Sequence, residues 1–370
     1  MTIEAIAVEM QNLIDHDTYE IVDDIGQDYL DTKFDFKEKQ TENGSQVKAR
    51  FVAKGFQENT DSMRTDSPTC TKSNLRTLLV LSVASSWKVK TIDIKSAFLQ
   101  GREIQRELYV KPPAKVSNGK LWRLKKCLYG LNDSAREWYL KVKEMVTELL
   151  GERSNLDHAV FFWKDKDGEM IGYCATHVDD FIVSGTPEFL DMLIDGIKKR
   201  FTVSSETDSF FKYVGLEIIQ LDNCINLSQV SYISELAQTQ MAGSPDSCTL
   251  SPLDDEQKKH LKSTVGQLMW ISNNSRPDVA YDVCDLSNSV VDATQKEIFT
   301  SNRIIRRLKA DQVSIRLANV GNLHQAEIVT YTDASYRNLK NNGSQGGQLI
   351  LWKGRNGSYS MLNLKSKKIK

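Results

Sequence analysis

The chain of 370 residues, 40% hydrophobic and 26% charged, is long enough for two or three domains with apolar cores. Its 48 Lys and Arg against 49 Asp and Glu leave a net charge of −1, which excludes a polybasic protein that holds nucleic acid with its whole surface, but not a local basic track. No apolar run approaches the ~20 residues of a membrane span, the N-terminus lacks the regions of a secretory signal, and six scattered cysteines suit reduced thiols in an intracellular setting rather than a zinc ribbon or a disulfide framework.

In chain order, Ile3, Ile6, Met10, Leu13 and Ile14 predict a short amphipathic helix, and 33–39 and 47–56 predict strands about a polar turn at 42–45. NLRTLLVLSVASSW (74–87), apolar nearly all round, predicts a buried helix. KVKTIDI (88–94) alternates as a strand with Val89, Thr91 and Asp93 on one face. Trp138, Leu140, Val142, Met145, Val146 and Leu149 recur at helical spacing over 134–150. Strands are expected at 159–163 and 170–176 around a Lys166–Asp167–Gly168 turn, and Thr186–Pro187 starts a helix running to Phe201. Residues 212–227 read as one hairpin, KYVGLEIIQ then DNC then INL, and 229–309 as mainly helical, broken near 243–252. Strands at 326–333, 347–352 and 358–364 follow, with no helix to cover them, so the last unit reads as incomplete.

The chemistry concentrates in YCATHVDDFIVS (173–184). Asp179 and Asp180 sit side by side at a hairpin tip and repel one another. Such a pair is common at surface turns, but Ala175, Val178, Phe181, Ile182 and Val183 are apolar flanks that a solvent loop does not need. A divalent cation is the usual remedy, and Mg²⁺ prefers carboxylate oxygens. Asp93, at the end of the 88–94 strand, becomes a third acid if that strand lies beside the hairpin. Three acids around two metals ~3.5–4 Å apart suit in-line phosphoryl transfer.

The ordered set KARFVAKGFQE (48–58), DSPT (66–69), TIDIKSAFLQG (91–101), LWRLKKCLYGLNDSAREWY (121–139), HVDDFIVSG (177–185), KYVGLEI (212–218) and STVGQLMWISNNSRPDVAYDV (263–283) resembles the reverse transcriptase of copia-type LTR retrotransposons. LNDSAR and THVDDF bring it nearest to the animal branch of those elements. The resemblance implies an α+β right-hand polymerase with fingers, a palm on an antiparallel sheet and a helical thumb, followed by an incomplete RNase H-like α/β unit. The implied domains are fingers and palm at 1–252, thumb at 253–312 and the RNase H-like start at 326–370. It implies an RNA-directed DNA polymerase that extends a DNA or RNA primer on an RNA template with dNTPs.

Carried over by motif, Asp93, Asp179 and Asp180 are catalytic and hold two Mg²⁺ ions, with Mn²⁺ as a substitute. Phe98 falls where the family keeps an aromatic beneath the sugar, which favours dNTP; an ordinary core aromatic is the alternative. Tyr129 and Gly130 open the turn against nucleotide and template, and Lys48, Arg50 and Lys54 offer cations to the triphosphate, the choice among them left open. His177 stands near the primer end where most relatives have Tyr. Arg123, Lys125, Lys126 and Arg136, and Arg303, Arg306, Arg307 and Lys309, are candidate primer–template contacts. EIVTYTDAS (327–335) resembles the first RNase H strand with Asp333 as its first metal-binding acid, and LNLKSKKIK (362–370) resembles a later strand. One carboxylate cannot hold two metals, so RNase H activity is expected to be absent. Ala135 replaces a common Pro, and Asp35 is foreign to the family's basic-Trp-Val-Phe wording. The alternative function is a catalytically inactive retrotransposon remnant that at most binds nucleic acid; a generic Mg²⁺-dependent nuclease is weaker still. Nothing in the sequence specifies an oligomeric state.

Overall fold

The structure, a computed structural model, describes residues 2–41, 44–61, 63–114, 116–117, 119–240, 251–337 and 343–369, and at 39–41 and 44 the backbone alone. Part of the predicted 42–45 turn, Cys248 and most of the predicted 243–252 break lie outside these residues. The chain forms two compact units, Met1–Cys70 with Ile92–Glu206, and Thr71–Thr91 with Thr207–Lys370. Helices and largely antiparallel sheets are mixed in an α+β arrangement.

The first unit opens with helix Thr2–Asp15, which buries Ala5, Glu9 and Leu13. Glu9 accepts the Phe51 backbone N–H at 2.9 Å, tying the helix to the hairpin of Leu30–Thr41 and Gly44–Ala53. Asp35 stands directly opposite Arg50 in that hairpin. The second strand ends at Ala53 rather than at the predicted Phe56, because Gly55–Gln57 closes into a 3₁₀ turn. Tyr19–Val22, Leu121–Leu124 and Tyr109–Lys111 complete a five-stranded sheet; all three were illegible as strands because they are only three or four residues long.

A six-stranded sheet follows in the order Val203–Asp208, Lys88–Ile94, Asp180–Gly185, Met170–His177, Val160–Lys164, Glu152–Arg153. Helices Ser134–Glu148 and Pro187–Arg200 contribute Trp138, Val142, Met145, Phe189, Leu193 and Ile197 to its core. The Thr186 hydroxyl accepts the Phe189 N–H, Pro187 occupies the first turn and Lys198, Lys199 and Arg200 the last, so both ends of the second helix match the backbone dipole. Strand Lys88–Ile94 does not divide cleanly by alternation, since Val89 is buried along with Ile92 and Ile94.

The second unit contains helix Lys72–Ala84, a four-stranded sheet in the order Phe210–Tyr213, Leu216–Leu221, Cys224–Ser228, Ile315–Ala318, and helices Val230–Ser234, Asp255–Asn274, Ala280–Asn288 and Gln295–Ala310. The KYVGLEI stretch, predicted as one strand, is itself a tight hairpin turning at Val214 (φ 47°) and Gly215 (φ 72°). A β-branched residue in the left-handed region is not a turn signal, which is why the reversal was hidden. Two buried arginines stitch the helices together. Arg76, 1% exposed, donates to the Asn274 carbonyl at 2.8 Å at the end of the long helix. Arg276 holds Asp278 and donates to the Leu308 and Asp311 carbonyls. The last sheet, Glu327–Ala334, Ser344–Lys353, Tyr359–Ile369, is not left bare as expected. Its third strand packs against helices Lys72–Ala84 and Ala280–Asn288, which come from earlier in the chain.

Candidate active site

Strands Met170–His177 and Asp180–Gly185 pair so that His177 faces Asp180, and Val178 and Asp179 alone make the connection. Val178 has φ 57°, a left-handed backbone usually reserved for glycine and costing roughly 1–3 kcal/mol in a β-branched residue. Two hydrogen bonds pin this tip. The Trp138 indole N–H donates to the Val178 carbonyl at 2.7 Å, and the Ile94 N–H donates to the Asp179 carbonyl at 3.1 Å. The second bond seats Asp93, one residue before Ile94, beside the paired acids. Asp93 in turn accepts the Ser204 hydroxyl from the adjoining edge strand.

Burial, and then the charges of Asp179 and Asp93, push the Asp180 carboxyl up to about 6. Burial likewise lifts Asp179, with Asp93 adding to the rise while its own backbone amide, Arg50 and His177 oppose it. The three acids thus form an under-neutralised negative site of hard oxygen donors, the chemistry that a divalent cation satisfies. As the side chains stand, no three acidic, His or Cys groups among the described residues close into a ready cation cluster. The donor set fits a divalent cation, with the carboxylates set apart.

Of the three cations expected at the triphosphate, Arg50 is the one that acts on Asp179, and its guanidinium lies 5.1 Å from the Tyr129 ring centre. Lys54 is held by Asp31 at 3.3 Å, and Lys48 is an exposed residue of the hairpin. Phe98 meets Tyr129 edge to face at 5.3 Å and packs against the core under the hairpin tip, so Arg50, Tyr129 and Phe98 line one continuous surface. Gly130 (φ 89°) lets its turn cross the fingers hairpin; a side chain there would strike the Ala53 carbonyl and Val52. His177 is driven below its ordinary value by burial, with the Asp179 charge opposing, and its Nδ1 is buried with no hydrogen-bond partner.

The expected phosphate contacts are less free than their sequence suggests. Arg123 pairs with Glu20 at 3.0 Å, Lys125 with Asp17 at 2.8 Å and Arg136 with Asp66 at 2.9 Å. Lys126 lines a polar cleft with His16, Gln100 and Gln105. In the second unit Arg307 pairs with Asp278 and Asp282, while Arg303 is exposed. Asp333 is exposed on its edge strand, and among the described residues the pocket it lines holds no second carboxylate. Trp138 and Ser204 escaped the sequence reading. Trp138 looked like one more core position of a helix, and Ser204 reaches Asp93 only through sheet pairing 111 residues away.

A family model described as reverse transcriptase (RNA-dependent DNA polymerase) matches residues 16–251. The chain is 27% identical over 323 residues to the retrovirus-related Pol polyprotein from transposon RE1 of Arabidopsis thaliana, covering 81% of this chain and 21% of that polyprotein. It is also 27% identical over 308 residues to that from transposon TNT 1-94 of Nicotiana tabacum, covering 76% and 23%. The chain therefore spans about a fifth of the length of these relatives. Among solved structures, the foamy viral protease-reverse transcriptase in complex with RNA/DNA hybrid superposes with a TM-score of 0.57 at 11% identity, over 98% of this chain and 42% of that one. A form of the foamy viral protein in complex with double-stranded DNA gives 0.57 at 12%, over 98% and 56%. A palm-type sheet carrying paired acids, the match over most of the chain and the shared fold lead to one conclusion: the chain belongs to the reverse transcriptase family found in copia-type transposon Pol polyproteins.

Proposed function

We propose that this chain is an RNA-directed DNA polymerase module that extends a DNA or RNA primer on an RNA template with dNTPs. The observation that carries the reading is the seating of Asp93 beside the strained Asp179–Asp180 tip, where the charge of Asp93 acts on both paired acids. Reverse transcriptases use divalent metal ions. Asp93, Asp179 and Asp180 would hold two, Mg²⁺ or Mn²⁺, which when bound would activate the primer 3′-hydroxyl and neutralise the leaving pyrophosphate. Arg50, already beside Asp179, supplies positive charge to the incoming triphosphate. Tyr129 and Phe98 present an aromatic surface to its sugar and base. His177, whose imidazole burial drives below its ordinary value, would lie near the primer end. The relatives bound to RNA/DNA hybrid and to duplex DNA support nucleic acid as the partner.

Primer extension on a heteropolymeric RNA template with dNTPs and Mg²⁺ tests this reading, beside Asp180→Asn. The expected result is extension by the wild type that falls about 10²–10³-fold in the variant, in line with removing a charge-stabilising group from a catalytic site. Folded wild-type protein that extends no primer overturns the reading in favour of an inactive remnant.

A further inference from the structure

We propose that Trp138 is a positioning residue for the paired acids, its indole N–H holding the hairpin tip in the shape that presents Asp179 and Asp180 together. The inference rests on the polymerase reading of those two aspartates. Three observations carry it. The tip contains a β-branched residue, Val178, at φ 57°, which the backbone left to itself disfavours. The Val178 carbonyl receives the Trp138 Nε1–H at 2.7 Å. The donor itself has no freedom, because Trp138 is 1% exposed and fixed between Phe181, stacked at 6.2 Å, and Phe201, edge-on at 4.8 Å.

Any large apolar residue would fill this space. Only tryptophan fills it and donates a hydrogen bond from the buried end of its ring. Without the donor, the Val178 carbonyl is a buried acceptor with no partner, and the peptide is free to rotate toward an ordinary extended conformation. That rotation swings the Asp179 backbone away from Ile94 and so from Asp93. The same ring also backs Phe201, which lies three residues before Ser204, the donor to Asp93. Trp138 thus supports both carriers of the acidic site without touching substrate.

The test compares the full-length wild type, Asp180→Asn, Trp138→Phe and a protein with benzothienylalanine at position 138, which keeps the ring shape but lacks the N–H. Mn²⁺ binding is followed by the free-ion paramagnetic resonance signal, alongside single-nucleotide insertion kinetics and the thermal unfolding midpoint. The expected result is that benzothienylalanine weakens Mn²⁺ binding and lowers kcat by about tenfold each. The KM for dNTP stays at its wild-type value, the unfolding midpoint falls only by what one lost hydrogen bond removes, and Trp138→Phe moves binding and kcat in the same direction. Wild-type Mn²⁺ binding and kcat in the benzothienylalanine protein overturn the inference. So does a loss accompanied by a fall in the unfolding midpoint larger than one hydrogen bond accounts for, which marks Trp138 as core packing alone. If the wild type itself binds Mn²⁺ no better than Asp180→Asn and extends no primer, the polymerase reading has failed and this inference falls with it.

Discussion

Arg50, Lys48 and Lys54 sit within seven residues of one another and are equivalent by composition, yet their surroundings give them different work. Arg50 shares its space with Asp179 and the Tyr129 ring, whereas Lys54 is committed to Asp31 in a half-exposed pair that solvent screening keeps weak. Arg50→Ala is expected to raise the KM for dNTP by about tenfold or more, the scale of losing a charge-assisted contact to phosphate. Lys54→Ala is expected to leave it within about twofold. Steady-state insertion of a single nucleotide distinguishes them, and equal effects would remove the special role of Arg50. The same contrast shows why the choice among the three was closed to the sequence: strand position was readable, but Asp179, which Arg50 faces, lies 129 residues along the chain, and Asp31 meets Lys54 only through the fold.

Helix Val230–Ser234 is too short to stand by itself, and a single carboxylate holds its start. Glu217, on strand Leu216–Leu221, accepts the Ser228 hydroxyl at 2.9 Å, the Val230 N–H at 3.0 Å and the Ser231 N–H at 2.9 Å. Burial pushes its carboxyl up, but the bonds from Ser231, Ser228 and Val230 outweigh it and hold the group below its ordinary value of 4.5. A folded value below the unfolded one means that Glu217 stabilises the fold at every pH above about 4.5, and that this contribution disappears as pH falls below 4.5 through the depressed value. Thermal unfolding midpoints of wild type and Glu217→Gln between pH 7 and 3 check this. The variant is expected to be less stable by roughly 1–3 kcal/mol at neutral pH, with the gap closing in acid. A gap that is constant across the range would show that the charge is not what the helix start needs.

Across the whole chain, near-zero net charge hides extensive internal pairing. Arg123, Lys125, Arg136 and Arg307 all reach carboxylates of their own unit, so hybrid phosphates must displace acids to recruit them. Fewer counterions are then released on binding than the sequence count of cations suggests. The affinity for an RNA–DNA hybrid is expected to fall by less than about 10³-fold between 50 and 200 mM salt, measured by anisotropy of a labelled hybrid. A steeper fall would mean that these pairs open on binding and that each cation meets a phosphate.

Much of this protein was determined by local pattern alone. The helices at Ser134–Glu148 and Pro187–Arg200, the hairpin bearing Asp179 and Asp180 and the three closing strands follow from apolar periodicity, capping residues and a polar turn, because these effects act over a few residues. The ordered motifs likewise named the family. Tertiary structure decided the rest, for three physical reasons. A positive φ at Val178 or Val214 goes against the residue's own preference and persists only because the surroundings impose it. The short strands Tyr109–Lys111 and Leu121–Leu124 exist by pairing with each other and with Leu30–Thr41 and Tyr19–Val22, far back in the sequence. The partners that tune the site, Ser204 for Asp93, Trp138 for the Val178 carbonyl and Arg50 for Asp179, meet across 111, 40 and 129 residues respectively. Hydrogen bonds and charges act over ångströms, and only the folded chain brings those residues within that range.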